Sequence, residues 1–127
     1  MSVVTLIFMK IKWLNKPQDH DYTAAECYLS LEMDPLTARA ACETLSQAKM
    51  TSFAAKDIFR SSGLSLLGVS DSHVEKDRAR IILQEKLSPL LLYRDRTRSK
   101  LIIADGYHRL CAVYKFDEDA EIPCKIA

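Results

Sequence analysis

Apolar positions along the chain change their period several times, and each change predicts a new element. In Met9-Lys10-Ile11-Lys12-Trp13-Leu14, Ile11 and Trp13 fall on one side and Lys10 and Lys12 on the other, the period-2 pattern of a half-buried strand. The stretch Asn15 to Asp19, with Pro17, ends it as a turn. Thr23-Ala24-Ala25-Glu26 has capping-box spacing and predicts a helix over about Ala24 to Leu31. Asp34 as N-cap and Pro35 at the first helical position open a second helix, on which Leu36, Ala40, Ala41, Leu45 and Ala48 recur as a buried stripe.

Further on, Ser52 to Lys56 reads as a short strand and Asp57 to Arg60 as one helical turn, closed by Ser61-Ser62-Gly63. Ser72-His73-Val74-Glu75 repeats the capping-box spacing. The predicted helix runs to about Lys86, with Val74, Ile81 and Ile82 as its apolar face and Lys76, Asp77, Arg78 and Arg80 covering the rest. That pattern leaves Glu75, Asp77 and Glu85 on an exposed face. Ser88-Pro89 breaks it, and Leu90-Leu91-Leu92-Tyr93 reads as a strand buried on both faces. The polar run Arg94 to Ser99 and the apolar run Leu101 to Ala104 complete a hairpin. Asp105-Gly106 then turns into a helix over Tyr107 to Tyr114, whose apolar residues at 110, 111, 113 and 114 do not alternate. Glu121 to Ile126 is a last strand, and Pro123 puts it at an edge or at its own beginning. The fold class is α/β (α+β), a mixed sheet flanked by helices with a helical N-terminal half. One domain is expected over 1–127, with a strand and two helices in 1–50 and the core in 51–127.

Composition keeps that picture and narrows the partners. The 127 residues are 48% hydrophobic and 28% charged, with 3 Gly and 4 Pro, which excludes disordered and collagenous chains. At this size folding removes roughly two-thirds of the unfolded chain's surface, enough for one core. A net charge of +1 supplies no whole-protein field for nucleic acid or anionic membrane, so such binding needs a local patch. Cys27, Cys42, Cys111 and Cys124 form no C-x-x-C pair and read as reduced, buried thiols. The apolar run Val3 to Met9 is far shorter than the ~20 residues a bilayer span needs, and no basic segment precedes it. A cytoplasmic protein with no membrane partner is expected, and Met9 reads as an initiator that makes residues 1–8 dispensable.

The Asp105-Gly106 turn is where chemistry concentrates. A buried strand that turns directly into a helix aims free backbone N–H groups, and the positive end of the helix dipole, at whatever lies above it. Gly106 permits close backbone approach, while His108 and Arg109 add a titratable and a permanent cation. Cations at a helix N-terminus are disfavoured unless an anion joins them, and a phosphate is such an anion. The same residues also fit a plain cap, with Asp105 capping the helix and pairing with Arg109 in solvent.

The segment Leu87 to Ile126 resembles the ParB/sulfiredoxin superfamily. Leu87-Ser88-Pro89-Leu90 is similar to its L-x-P-[ILV] strand opening, Leu101 to Ala112 to its strand-turn-helix signature, and Glu121 to Ile126 to the strand that follows. The resemblance covers the last third of the chain closely and Ser52 to Lys86 loosely. It implies a nucleoside di- or triphosphate, ATP, ADP or CTP with Mg²⁺, held at Gly106, Tyr107, His108 and Arg109. Arg60, in Arg60-Ser61-Ser62-Gly63, would approach the nucleotide from the first strand of the core, although the same run fits a helix end closed by Gly63. Asp105 would cap the turn or hold metal-bound water, and Asp105 and His108 are the catalytic candidates for a nucleotide hydrolase or kinase-like phosphotransferase. Sulfinic acid reduction is not expected, because Tyr107 stands where sulfiredoxins carry their nucleophilic cysteine and Cys111 lies one turn further on.

Other polar features read more plainly. Arg94, Arg96, Arg98 and Lys100 form a solvated hairpin tip or a basic ridge, and the ridge supports the alternative function, a nucleotide-independent DNA-associated or protein-interaction module. Sequence-specific DNA binding is not expected, since no reading helix accompanies the domain. His20 and His73 read as surface residues.

Overall fold

The computed structural model describes residues 10–66 and 71–127, so the expectations for Met1 to Met9 lie outside the described residues. In chain order the elements are β1 (Lys12–Trp13), α1 (Asp19–Glu32), α2 (Pro35–Gln47), β2 (Thr51–Ala54), α3 (Ala55–Ser62), α4 (Ser72–Ile82), β3 (Lys86–Leu87), β4 (Leu90–Asp95), β5 (Lys100–Asp105), α5 (Tyr107–Phe116) and β6 (Glu121–Ile126). This is the mixed α/β fold that the periodicity predicts.

Four strands form one sheet in the order β2-β6-β4-β5, with β6 parallel to β4 and the other two pairings antiparallel. On β4, Leu90 and Leu92 enter one hydrophobic cluster with Ile58, Val74, Ile81, Leu110 and Ile122 from α3, α4, α5 and β6. Leu91, between them, points to the other face, where Ala25, Leu29, Ala38, Ala41 and Leu45 of α1 and α2 cover it. Strand β4 is thus buried on both faces, and the N-terminal helices form the second wall of the core. A short parallel pairing of β1 with β3 brings Ile11 and Trp13 against the first cluster.

Several boundaries differ from the pattern reading, each for a local reason. Helix α1 starts at Asp19, because the Asp21 carboxylate accepts the Gln18 N–H at 2.8 Å and supplies the start that Thr23 was expected to give. In α2 the Asp34 cap and Pro35 are as expected, but the stripe is Ala38, Ala41 and Leu45, while Leu36 is 77% exposed and Ala40 is exposed. Strand β2 ends at Ala54, and α3 begins at once with Ala55 rather than at Asp57. Gly63 closes α3 in the left-handed region at φ 67°. Helix α4 is capped by Asp71, whose carboxylate accepts the N–H groups of His73 and Val74, and it stops at Ile82, short of Lys86.

The last strand is interior, not an edge. Pro123 is tolerated there because the ladder to β4 begins only at Cys124, one residue later, so its missing donor breaks no bond to β4. On the second face, Lys125 of β6 is 8% exposed, and its ammonium donates to the Ser46 carbonyl at 3.1 Å, where the C-terminal end of α2 attracts a cation.

The two-sided burial of β4 makes Leu91→Ala costly, with a loss of about 2–5 kcal/mol expected from the cavity it opens. Leu36→Ala should change stability by no more than about 0.5 kcal/mol. Urea unfolding of the two variants checks both values, and comparable losses would place Leu36 in the core.

Candidate functional site

Strand β5 delivers Asp105 to the turn through an irregular register. Leu91 pairs with Asp105 and Leu92 with Ile103, which leaves Ala104 as a bulge of the kind that re-aims the strand end. Gly106 follows at φ 106°. A Cβ there would lie 2.8 Å from Cγ of Leu90 and 2.9 Å from Nη2 of Arg109, so glycine is required by the packing beneath the turn. Close approach of a ligand is not needed to explain it.

Gly106 is the N-cap of α5 and offers no side chain, and Asp105 does not cap the helix. Instead the Asp105 carboxylate accepts from Nη2 of Arg109 at 3.0 Å, and the same Nη2 donates to the Pro89 carbonyl at 3.3 Å. This is the pairing the plain reading expects, but it is sheltered: the two side chains are 15% and 16% exposed. Nε of Arg109 is buried without a hydrogen-bond partner. Burial pushes the Asp105 carboxyl above the usual carboxylate range, and the neighbouring Asp21 carboxyl adds to the rise against the pull of Arg109.

Helix α4 supplies the facing wall, through residues that the pattern reading leaves on a solvated surface. His73, Lys76, Asp77 and Arg80 line a cleft of about 640 Å³ with Asp105, Gly106, His108 and Arg109. Asp77 is buried because it shares the i, i+3, i+7 stripe with Val74 and Ile81, a spacing that was present in the sequence. Nη1 of Arg80 donates to it at 3.1 Å. Burial raises the Asp77 carboxyl above its ordinary range, while Arg109, Arg80 and His108 pull it back. The rings of His73 and His108 stand 4.8 Å apart, so His73 is a member of the cleft and not an isolated surface histidine.

Tyr107, another expected binding residue, turns its ring aside. Its hydroxyl donates to the Ser65 carbonyl, and its ring flanks that of His108. Cys111 is fully buried beneath it. Arg60 does not join the cleft: its side chain is 84% exposed, it pairs with Asp57 at 3.3 Å, and it borders a separate hollow with Lys56, Phe59 and Tyr114. Among the described residues no group of three or more His, Cys, Asp or Glu side chains could hold a metal ion. No disulfide joins any of the four cysteines, and Cys27 is exposed and Cys42 partly so, against the expectation that all are buried. Burial pushes the Cys124 thiol up to about 11. No helix among the described residues is long and apolar enough to cross a membrane.

Two variants test this geometry. Gly106→Ala combines a positive φ with overpacking against Leu90 and should cost about 2–4 kcal/mol in denaturant unfolding. Asp77 has its folded pKa raised above the unfolded value, so its ionisation opposes folding; that penalty is full above the folded pKa and absent below the unfolded one. Asp77→Asn should therefore be more stable than the parent at neutral pH, with the gain fading as pH falls through the raised pKa toward about 4. Thermal melts across that range check the sign. Compared with known proteins, the chain matches no family model, no curated protein and no solved structure.

Proposed function

We propose that the cleft between α4 and the start of α5 binds the phosphates of a nucleoside di- or triphosphate such as ATP, ADP or CTP. The observation that carries this reading is the basic lining around an uncapped helix N-terminus: Lys76 in no ion pair found among the described residues, Arg80 and Arg109 each paired with an aspartate, and the imidazoles of His73 and His108. Positive side chains near the positive end of a helix dipole repel it, and a bound anion reverses the sign of that interaction. The backbone N–H groups of Tyr107, His108 and Arg109 would donate to phosphate oxygens, and Lys76, Arg80 and His108 would neutralise them. The buried, unpartnered Nε of Arg109 fits the same role.

Arg109 serves the fold and the ligand together in this reading, because the Asp105 carboxylate depends on it. Mg²⁺ would arrive with the nucleotide, held chiefly by phosphates and water, with Asp77 as the nearest carboxylate support. A hydrolase or kinase-like phosphotransferase built on the cleft would draw its proton acceptor from His108, since Asp105 and Asp77 are each engaged by an arginine. A cytoplasmic location, where such nucleotides are abundant, belongs to the same proposal.

Isothermal titration with ADP, ATP and CTP, with and without Mg²⁺, tests it. The parent should bind at least one of them, and Lys76→Glu, which removes no ion pair found in the structure, should weaken binding about ten- to a hundredfold with an unchanged melt. Arg109→Ala should lose binding and stability together. A parent that binds none, or a Lys76→Glu variant with parental affinity, overturns the proposal.

A further inference from the structure

The basic run of the β4–β5 hairpin divides in the structure. Arg98 is exposed but held by carboxylates: its Nε donates to Asp95, and its Nη2 donates to Glu32 of α1 at 3.1 Å. Asp95 also accepts from the Thr97 hydroxyl and the Arg98 N–H, so its oxygens are engaged. Arg94, Arg96 and Lys100 remain exposed, and none of the ion pairs among the described residues includes them.

These three cations border an open groove of about 810 Å³ that reaches Ser61 of α3 and Leu101. Through Ser61, Arg94 and Leu101 it is continuous with a second hollow of about 450 Å³ between α3 and the sheet. That hollow is apolar, built on Phe53, Ile58, Leu92, Leu101 and Ile126, with Asp57 at its margin already paired with Arg60. Phe53 is 42% exposed, so part of its ring is uncovered. An apolar socket therefore opens directly onto a strip of exposed cations, in which the carboxylate Asp95 is already engaged by Arg98 and Thr97. Neither hollow shares a lining residue with the α4–α5 cleft.

We propose that this groove docks an acidic peptide segment of a protein partner. One bulky apolar side chain would enter the socket beside Phe53 and Ile126, and neighbouring Asp or Glu carboxylates would meet Arg94, Arg96 and Lys100. Charge complementarity selects the acidic partner, and the shallow, open course of the groove suits an extended chain better than an enclosed small molecule. Nucleic acid fits less well. The socket is mostly aliphatic, and of its lining residues only Phe53 offers a ring for base stacking.

Panning a random displayed-peptide library on the full chain, followed by fluorescence anisotropy with a labelled synthetic copy of the enriched peptide, tests the proposal. Enriched sequences should place an apolar anchor within a few residues of two or more Asp or Glu. Arg94→Glu with Lys100→Glu should weaken binding about tenfold or more, Phe53→Ala should weaken it as well, and affinity should fall with added salt. All three positions are exposed, and thermal melts confirm that the variants fold. Failure to enrich any peptide, enrichment of peptides without acidic residues, or unchanged affinity in the charge-reversed variant overturns the proposal. So does displacement of the peptide by oligothymidylate whose own binding is lost in that variant, which would make the strip a nucleic-acid contact.

Discussion

Strand β4 cannot be covered from one side. Leu90, Leu91 and Leu92 are consecutive, so the pleat sends them to alternate faces, yet each has no exposed surface. Exposing any of them would forfeit roughly 1.5–3 kcal/mol of burial, and no neighbouring strand can supply that cover. Helices must lie on both faces of the sheet. Helices α1 and α2 meet Leu91 together with Ile102 and Ala104, and α3, α4 and α5 meet Leu90 and Leu92 together with Ile103. The arrangement of the rest of the chain follows from this requirement.

The turn at Gly106 is coupled to the same strand. Leu90 lies directly beneath it, close enough to exclude any Cβ, so the start of α5 rests on the core. Its local charge arrangement is set there too. Asp105 and Arg109 pair in shelter, Asp21 approaches the Asp105 carboxyl from α1, and Asp77 of α4 lies within the field of Arg109. Burial raises both the Asp77 and the Asp105 carboxyl, so desolvation outweighs the attraction of Arg109 at each. Such a cluster is a weak source of stability, and its geometry leaves Lys76, Arg80 and the imidazoles facing the cleft.

The two concave surfaces lie on different parts of the first core face. The cleft belongs to α4 and α5, whereas the apolar groove belongs to α3 and the hairpin. What separates the cations of the hairpin is one aspartate: Asp95 gathers Thr97 and Arg98 into a tight tip, and Glu32 fastens that tip to α1. Arg94, Arg96 and Lys100 stay exposed and outside the ion pairs found among the described residues.

Periodicity and punctuation made much of the fold legible in the sequence. The unbroken Leu90-Leu91-Leu92 run, the Asp34-Pro35 start, the closing Gly63 and the Asp-Gly turn into a helix are local signals, and each element formed where its signal stands. The Arg109–Asp105 pair was legible as well, since i, i+4 residues meet on any helix that starts at that turn. Other features depended on distant segments. Pro123 could sit inside the sheet only because its pairing with β4 begins one residue later, and Leu36 stays exposed because α2 turns Ala38, Ala41 and Leu45 toward α1 and the second cluster. Asp77 carried a readable spacing, but its chemistry was not readable, because Arg109 and His108 reach it from a strand-turn-helix unit some thirty residues further along the chain. Local order is encoded by neighbours a few residues apart. The charge environment of a site is a sum over whatever packing brings within several ångströms, and only the tertiary structure performs that sum.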